Sequence, residues 1–295
     1  MKSYPFLTLD VFTNRRFGGN PLAVFYDAVG LSATEMQSLA KEMNLSETTF
    51  VFPPEESSHA ARVRIFNRTR EMPFAGHPTV GTGFVLADHG HARNGSLHLE
   101  VGAGIVDVSL RRDRSGIATG ATIVAPQPLM LGPNVSPAAI AECVALQASD
   151  VLETAHSPVL ASMGYGFVIA QVSQMALQHA EPVVDCFRKV VEAHQFLEGT
   201  LGLYLYARDQ NRIRARMFAP LAGIVEDPAT GSANVALGGL LLSLSEAHKA
   251  VYEVVQGVEM GRPSLLEVTA WRKGEDIHAT VGGDCVRVFS GEISI

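Results

Sequence analysis

Glu226-Asp227-Pro228-Ala229-Thr230-Gly231-Ser232-Ala233-Asn234 is the stretch on which the fold turns. It follows a strand-like run, Arg216-Met217-Phe218, and leads into an apolar helical stretch that begins Val235-Ala236-Leu237. A block of the same character stands earlier. Pro73-Phe74-Ala75-Gly76-His77-Pro78-Thr79-Val80-Gly81 follows Arg64-Ile65-Phe66 and leads into Phe84-Val85-Leu86-Ala87. Arg64 and Arg216 lie 152 positions apart, close to half the chain. Phe66 to Gly76 spans 10 positions and Phe218 to Gly231 spans 13, so the repeat is weak and imperfect. It reads as two similar α/β halves with a cleft between them, where ligand sites tend to lie. A turn that opens a helix leaves backbone N–H groups without intrahelical acceptors. Two such turns facing one another would hold a small anion from both sides.

The totals narrow the function classes. The chain has 295 residues, enough for two domains of ordinary size or one large one. It is 47% apolar and 18% charged, with a mean hydropathy of +0.16, which argues for a compact protein and against disorder. The net charge is −7 and no long basic run exists, so a nucleic-acid groove is not expected. Arg62, Arg64, Arg68 and Arg70, and likewise Arg111, Arg112 and Arg114, read as solvated strand and turn faces. The first residues lack the apolar core of a signal peptide. No apolar run reaches the ~18 residues of a membrane span. The three cysteines, Cys143, Cys186 and Cys285, are isolated and suggest neither a disulfide framework nor a zinc site. A reducing cytoplasm is the expected compartment.

Periodicity places the elements. Leu7–Phe12 and Leu22–Phe25 read as strands around the turn Gly18-Gly19-Asn20-Pro21. Ser32-Ala33-Thr34-Glu35 has the form of a capping box, with Met36, Leu39, Ala40 and Met43 on one helical face and Asn44 ending the helix. Strands are expected over Thr48–Phe52, Ala61–Ile65, Ser96–Val101 and Ile105–Leu110. Pro126, Pro128, Gly132 and Pro133 mark a crossover, and Ser136-Pro137 opens a helix. The second half predicts strands at Gly166–Val172, Leu201–Ala207 and Ile213–Phe218, and a helix at Asp185–Gln195. It closes with three more strands, Leu265–Trp271, Ile277–Val281 and Cys285–Phe289.

Several residues are candidates for chemistry. Gly76 and Gly231-Ser232 would let backbone approach a carboxylate; the alternative is a pair of tight strand-to-helix connections. Neither block has the lysine of a phosphate loop, and no dinucleotide fingerprint follows a convincing first strand. Glu47 stands among apolar and uncharged neighbours through Phe52, where partial desolvation would suit proton transfer; the alternative is a surface glutamate. Asp227 precedes a proline and a helix start, so it is either a site residue or an N-cap. His77 would donate to a substrate oxygen or shuttle a proton, or be a structural turn histidine. Asn20 is a turn residue that could line the cleft. His89 and His91 lie in a polar loop with little case for a metal. No cysteine lies in either glycine block, which disfavours a thiolate pair and leaves cofactor-free acid/base work.

With these blocks in view the chain resembles the PhzF family of phenazine-biosynthesis-like isomerases, which share the diaminopimelate-epimerase fold. The resemblance runs through Asp10–Thr13, Gly19–Phe25, Met43–Thr48, Glu71–Thr79, Val225–Ala233 and Gln256–Ser264, in that order over nearly the whole chain. It implies an α+β fold of two similar domains, each a curved mixed sheet rolled around a central helix, with the active site in the interdomain cleft. The expected domains are residues 1–121, with the last strand (about 284–295) docking there, and 122–283. It implies a homodimer, a small carboxylate substrate, no cofactor and no metal. Glu47 matches the family's catalytic acid/base and His77 and Asp227 its hydrogen-bonding partners. Gly76, Gly231 and Ser232 match the positions that hold the substrate carboxylate. One departure is Asn67-Arg68-Thr69-Arg70, where many members carry Thr-Pro. Its arginines either favour a more acidic substrate or face solvent. The expected activity is a cofactor-free isomerase that shuttles a proton on Glu47. The alternatives are a racemase or epimerase on the same fold and a non-catalytic dimer that binds small acids.

Overall fold

The computed structural model describes residues 1–88 and 95–295, so His89 and His91 lie outside the described residues. The chain divides into two compact units, Met1–Pro126 with Val281–Ile295, and Gln127–Thr280. The first unit holds strands β1 (Ser3–Val11), β2 (Asn20–Phe25), β3 (Glu47–Phe52), β4 (Ala61–Asn67), β5 (Glu71–Met72), β6 (Ser96–Val101), β7 (Gly104–Arg112) and β8 (Ala118–Val124). Its helices are α1 (Ala33–Met43) and α2 (Gly76–Asp88). The second unit holds β9 (Met130–Asn134), α3 (Pro137–Cys143), β10 (Val151–Leu152), β11 (Val159–Ser162), β12 (Gly166–Val172), α4 (Gln174–His179) and α5 (Val184–Ala193). It continues with β13 (Leu203–Asp209), β14 (Arg212–Ala219), β15 (Ile224–Asp227), α6 (Gly231–Ser243), β16 (Lys249–Gln256) and β17 (Ser264–Lys273). The last strand, β18 (Asp276–Ser294), begins in the second unit and ends in the first.

In the first unit the sheet curls until it closes. β1 pairs antiparallel with β2, β2 parallel with β3, β3 antiparallel with β4, and β4 parallel with β6; β6, β7 and β8 follow antiparallel. β18 pairs with both β8 and β1 and completes the circuit. Inside runs α2, buried from Gly76 through Leu86. A helix apolar on every side has no face to offer water and must be enclosed. Its glycines admit the wall: a Cβ on Gly81 would stand 2.6 Å from Leu22 Cδ2, and one on Gly83 would stand 2.6 Å from Val108 Cγ1. Outside the sheet α1 buries Met36, Leu39 and Ala40 against Phe25, Phe50 and Phe66. The capping box at Ser32 and Glu35 forms, and Asn44 ends the helix in the left-handed conformation at φ 51°.

The second unit repeats this plan. β9 is antiparallel to β11, β11 to β12, β12 parallel to β13, β13 antiparallel to β14, β14 parallel to β16, and β16 antiparallel to β17. The first residues of β18 lie beside β17, and Leu129 N–H, just before β9, donates to Ile277 O at 2.8 Å. The enclosed helix is α6, buried from Ala233 through Leu242. α3, α4 and α5 cover the outer face through a cluster that includes Ile140, Leu177, Phe187, Leu205 and Phe218.

The repeat is closer than spacing at Arg64 and Arg216 suggests. From Glu71 to Gly102 the offset is a constant 155, which matches Glu71 with Glu226, Pro73 with Pro228, Gly76 with Gly231, Gly83 with Gly238 and Gly102 with Gly257. The three extra residues of the second block fall in the short turn Pro220–Ala222 before β15. Matching residues make matching contacts. Arg64 binds Glu71 with two hydrogen bonds of 2.7 and 2.6 Å, and Arg216 binds Glu226 with two of 2.8 and 2.9 Å. A Cβ on Gly102 would meet Pro73 Cα at 2.9 Å, and one on Gly257 would meet Pro228 Cα at 3.0 Å. Gly238 faces Val268 as Gly83 faces Val108.

Some expected elements differ. Ile277–Val281 and Cys285–Phe289 are not two strands but parts of one, β18, which passes through Gly282 and Gly283 without a break. Glycine there signals close backbone approach, since a Cβ on Gly282 would collide with Thr122 and one on Gly120 with Gly283. Helix α5 runs over Val184–Ala193 and a separate 3₁₀ turn, Gln195–Leu197, follows it. Phe12, expected to end the first strand, leaves it with φ 65°.

Candidate active site

In the first unit three predicted residues meet. The left-handed Asn44 turns the chain out of α1 and into β3, whose first residue is Glu47. Parallel pairing sets Glu47 against Leu22, two residues beyond Asn20 at the start of β2. His77 is the second residue of α2. Its Nε2 stands 3.4 Å from Glu47 Oε2, and its Nδ1 stands 3.2 Å from Asn20 Nδ2. Only 6% of the His77 side chain and 12% of the Glu47 side chain are exposed. Burial pushes the imidazole down to about 3, so it is neutral at ordinary pH. The 3.4 Å contact is therefore not an ion pair. With Asn20 Nδ2 as donor, Nδ1 is the acceptor and the ring proton sits on Nε2, towards the glutamate. Asn20 is fully buried, so it is more than a surface turn residue.

In the second unit the predicted residues lie at the start of α6. Gly231 is its first residue and buried, and Ser232 follows half-buried. Asp227, the last residue of β15, is buried. It is not the N-cap; Thr230 holds that position and donates its hydroxyl to Asp227 Oδ2 at 2.6 Å. Behind both lies Gln256, fully buried at the end of β16. Its Nε2 donates to Asp227 O at 2.8 Å and to Thr230 Oγ1 at 3.0 Å. Its Oε1 accepts from Thr230 N–H at 3.2 Å, Asn234 Nδ2 at 3.2 Å and the Tyr204 hydroxyl at 3.3 Å. Burial holds the Tyr204 phenol well above its ordinary range, so it remains a neutral donor. Thr230, Asn234, Tyr204 and Gln256 were not among the expected site residues. Gln256 opens a quoted block and Asn234 closes another, but a buried amide gives no local signal before its partners are in place.

Neither α2 nor α6 has an acidic residue in its first turn; the carboxylates near the two helix starts are Glu47, beside His77, and Asp227, bonded to Thr230. Arg70 is exposed and Arg68 half-buried. Cys143 and Cys285 are buried, and burial pushes the Cys143 thiol up to about 12 and the Cys285 thiol higher, away from thiolate chemistry. Among the described residues no group of three or more His, Cys, Asp or Glu side chains is placed to hold a metal ion. No helix among them is long and apolar enough to cross a membrane.

Residues 9–291 match the model of the phenazine biosynthesis-like protein family, PhzC-PhzF. The chain belongs to that family. It is 34% identical to the trans-2,3-dihydro-3-hydroxyanthranilate isomerase of Pseudomonas chlororaphis, over 98% of each chain. Among solved structures it resembles the PhzF-family phenazine biosynthesis protein of Bacillus anthracis, with a TM-score of 0.88, 25% identity and complete coverage of both chains. It also resembles a predicted epimerase from Pseudomonas aeruginosa, with a TM-score of 0.81, 28% identity and 99% of each chain covered. Membership in this family makes the protein an isomerase, which removes the non-catalytic alternative.

Proposed function

We propose that the chain isomerises a small cyclic carboxylic acid bearing an amino or hydroxy group, with Glu47 carrying the proton. The observation that carries this reading is the Glu47 carboxylate set 3.4 Å from a buried, neutral His77 at the start of α2. Glu47 takes a proton from one carbon and returns it at another across an allylic or enamine system. No atom or electron is gained or lost, so the cycle needs no cofactor. His77 Nε2–H and Asp227 orient the groups whose electron density changes. The backbone N–H groups of Gly76, Gly231 and Ser232 hold the substrate carboxylate, and the working form is a homodimer. Trans-2,3-dihydro-3-hydroxyanthranilate, named for the similar Pseudomonas enzyme, is the first substrate to test.

Glu47→Gln should lower turnover by at least about 10²–10⁴-fold while leaving ligand binding largely intact, because it removes the general base but keeps the shape. Full activity in that variant would remove Glu47 from the mechanism. Likeness to a predicted epimerase favours a second reading, inversion at one carbon. Turnover in D₂O separates them: deuterium at a new carbon with a moved double bond supports isomerisation, and deuterium at an inverted centre supports epimerisation.

A further inference from the structure

Gln256, Thr230 and Asp227 form a network whose direction is fixed by the backbone. A peptide carbonyl can only accept and a peptide N–H can only donate. The Asp227 carbonyl therefore faces the Gln256 NH₂, and the Thr230 N–H faces the Gln256 oxygen. The same NH₂ donates to Thr230 Oγ1, which uses that oxygen as an acceptor and leaves its own hydrogen for Asp227 Oδ2 at 2.6 Å. The first unit builds the matching turn without this network. At the offset of 155, the positions of Asp227, Thr230 and Gln256 are Met72, Ala75 and Val101. The strand-to-helix turn of the first unit keeps its Arg–Glu pair and its Gly–Pro contact with apolar side chains at all three places.

We infer that Gln256 is a positioning residue that forces the Thr230 hydroxyl to donate to Asp227, so that Asp227 meets the substrate as a hydrogen-bond acceptor and selects a substrate bearing an N–H or O–H donor. The role of Asp227 in turnover rests on the proposed isomerase reading; the direction of the network does not. Of the titratable groups on neighbouring elements, Glu226 on the same strand and Arg216 on β14 pair with each other, and the neutral Tyr204 on β13 is bonded to Gln256. The first turn of α6 adds no acidic group.

The test is the ¹³C titration of the Asp227 carboxyl in the full chain without ligand, assigned with Asp227→Asn. Loss of a hydrogen bond to the charged form should move the midpoint up by about one to two pH units in Thr230→Val. Thr230→Ser should restore the wild-type midpoint. Gln256→Met, which frees the hydroxyl to turn, should move it in the same direction by a smaller step. An unchanged midpoint in Thr230→Val and in Gln256→Met would overturn the inference. If Thr230→Val fails to fold, Gln256→Met against wild type decides. The triple variant Asp227→Met/Thr230→Ala/Gln256→Val copies the first unit and should remain folded; its failure to fold would make the network a structural brace and would also overturn the inference. No substrate enters these measurements, so a chain that shows the shift yet isomerises nothing would overturn only the proposed function.

Discussion

Lowering the pH should destabilise the protein through His77, by an amount the structure sets. The imidazole is buried and held to about 3, against an ordinary value of 6.5. The native state therefore excludes a proton that the unfolded chain binds. A folded-state value depressed in this way gives stability that is present above pH 6.5 and is lost as the pH falls from 6.5 towards 3. At pH 7 the unfolded chain gains well under ~1 kcal/mol from this proton; at pH 5 it gains ~2 kcal/mol, while the native site still binds almost none. The step from pH 7 to pH 5 thus costs about 2 kcal/mol at this one residue. The assay is urea unfolding at both pH values for wild type and His77→Gln. The variant lacks the group, and the other nine of the ten histidines cancel in the difference. Wild type should lose about 2 kcal/mol more than the variant over this interval. Equal losses, or a His77 ring that titrates near 6.5 by NMR in the folded protein, would refute the claim that the histidine beside Glu47 is neutral.

Two further outcomes follow from the repeated contacts. Arg216→Met should cost about 3–5 kcal/mol, because it leaves Glu226 and the Leu177 and Ala180 carbonyls unpaired in a buried place, whereas Arg64→Met in the more exposed matching pair should cost under about 1 kcal/mol; urea midpoints of the two variants check the contrast. Gly83→Ala and Gly238→Ala should each cost about 1–3 kcal/mol by overpacking against Val108 and Val268, and Val108→Ala and Val268→Ala should each relieve part of that cost in the matching double variant.

How much of this was legible in the sequence depended on the range of the interactions. The capping box at Ser32, the left-handed Asn44 and the Ser136-Pro137 start are written within four residues of where they act, and the structure has all three. The two glycine blocks marked the enclosed helices because an all-apolar stretch after a tight turn has few other places to go. Family resemblance put Glu47 and His77 in one site, but Asn20 read only as a turn residue that could line the cleft, since nothing local joins residues on β2, β3 and α2. Gln256 stayed silent for the same reason: five bonds to Asp227, Thr230, Asn234 and Tyr204 exist only after β13, β15, β16 and α6 are assembled. The unbroken course of β18 was hidden because paired glycines read as a turn, although here they admit β8. The repeat was underestimated because three residues inserted at Pro220–Ala222 shift its register between Phe218 and Glu226.

Once aligned, the two units separate the scaffold from the chemistry. What they share holds the path from strand to enclosed helix: the Arg–Glu pair, the proline against a glycine and the glycine against a valine. These contacts brace the strand-to-helix turn that leads into α2 and α6 within each unit. What the units do not share are the side chains of the candidate site. Strand register matches Glu47 with Gly202, since Phe50 faces Arg64 as Leu205 faces Arg216. His77 is matched by Ser232, and Asp227, Thr230 and Gln256 by Met72, Ala75 and Val101. The duplicated frame therefore carries Glu47 beside His77 in one unit and the hydrogen-bond network of Asp227, Thr230 and Gln256 in the other. At these five positions the units differ by side chains set on matching turns and strands, which is what the triple variant that copies the first unit probes.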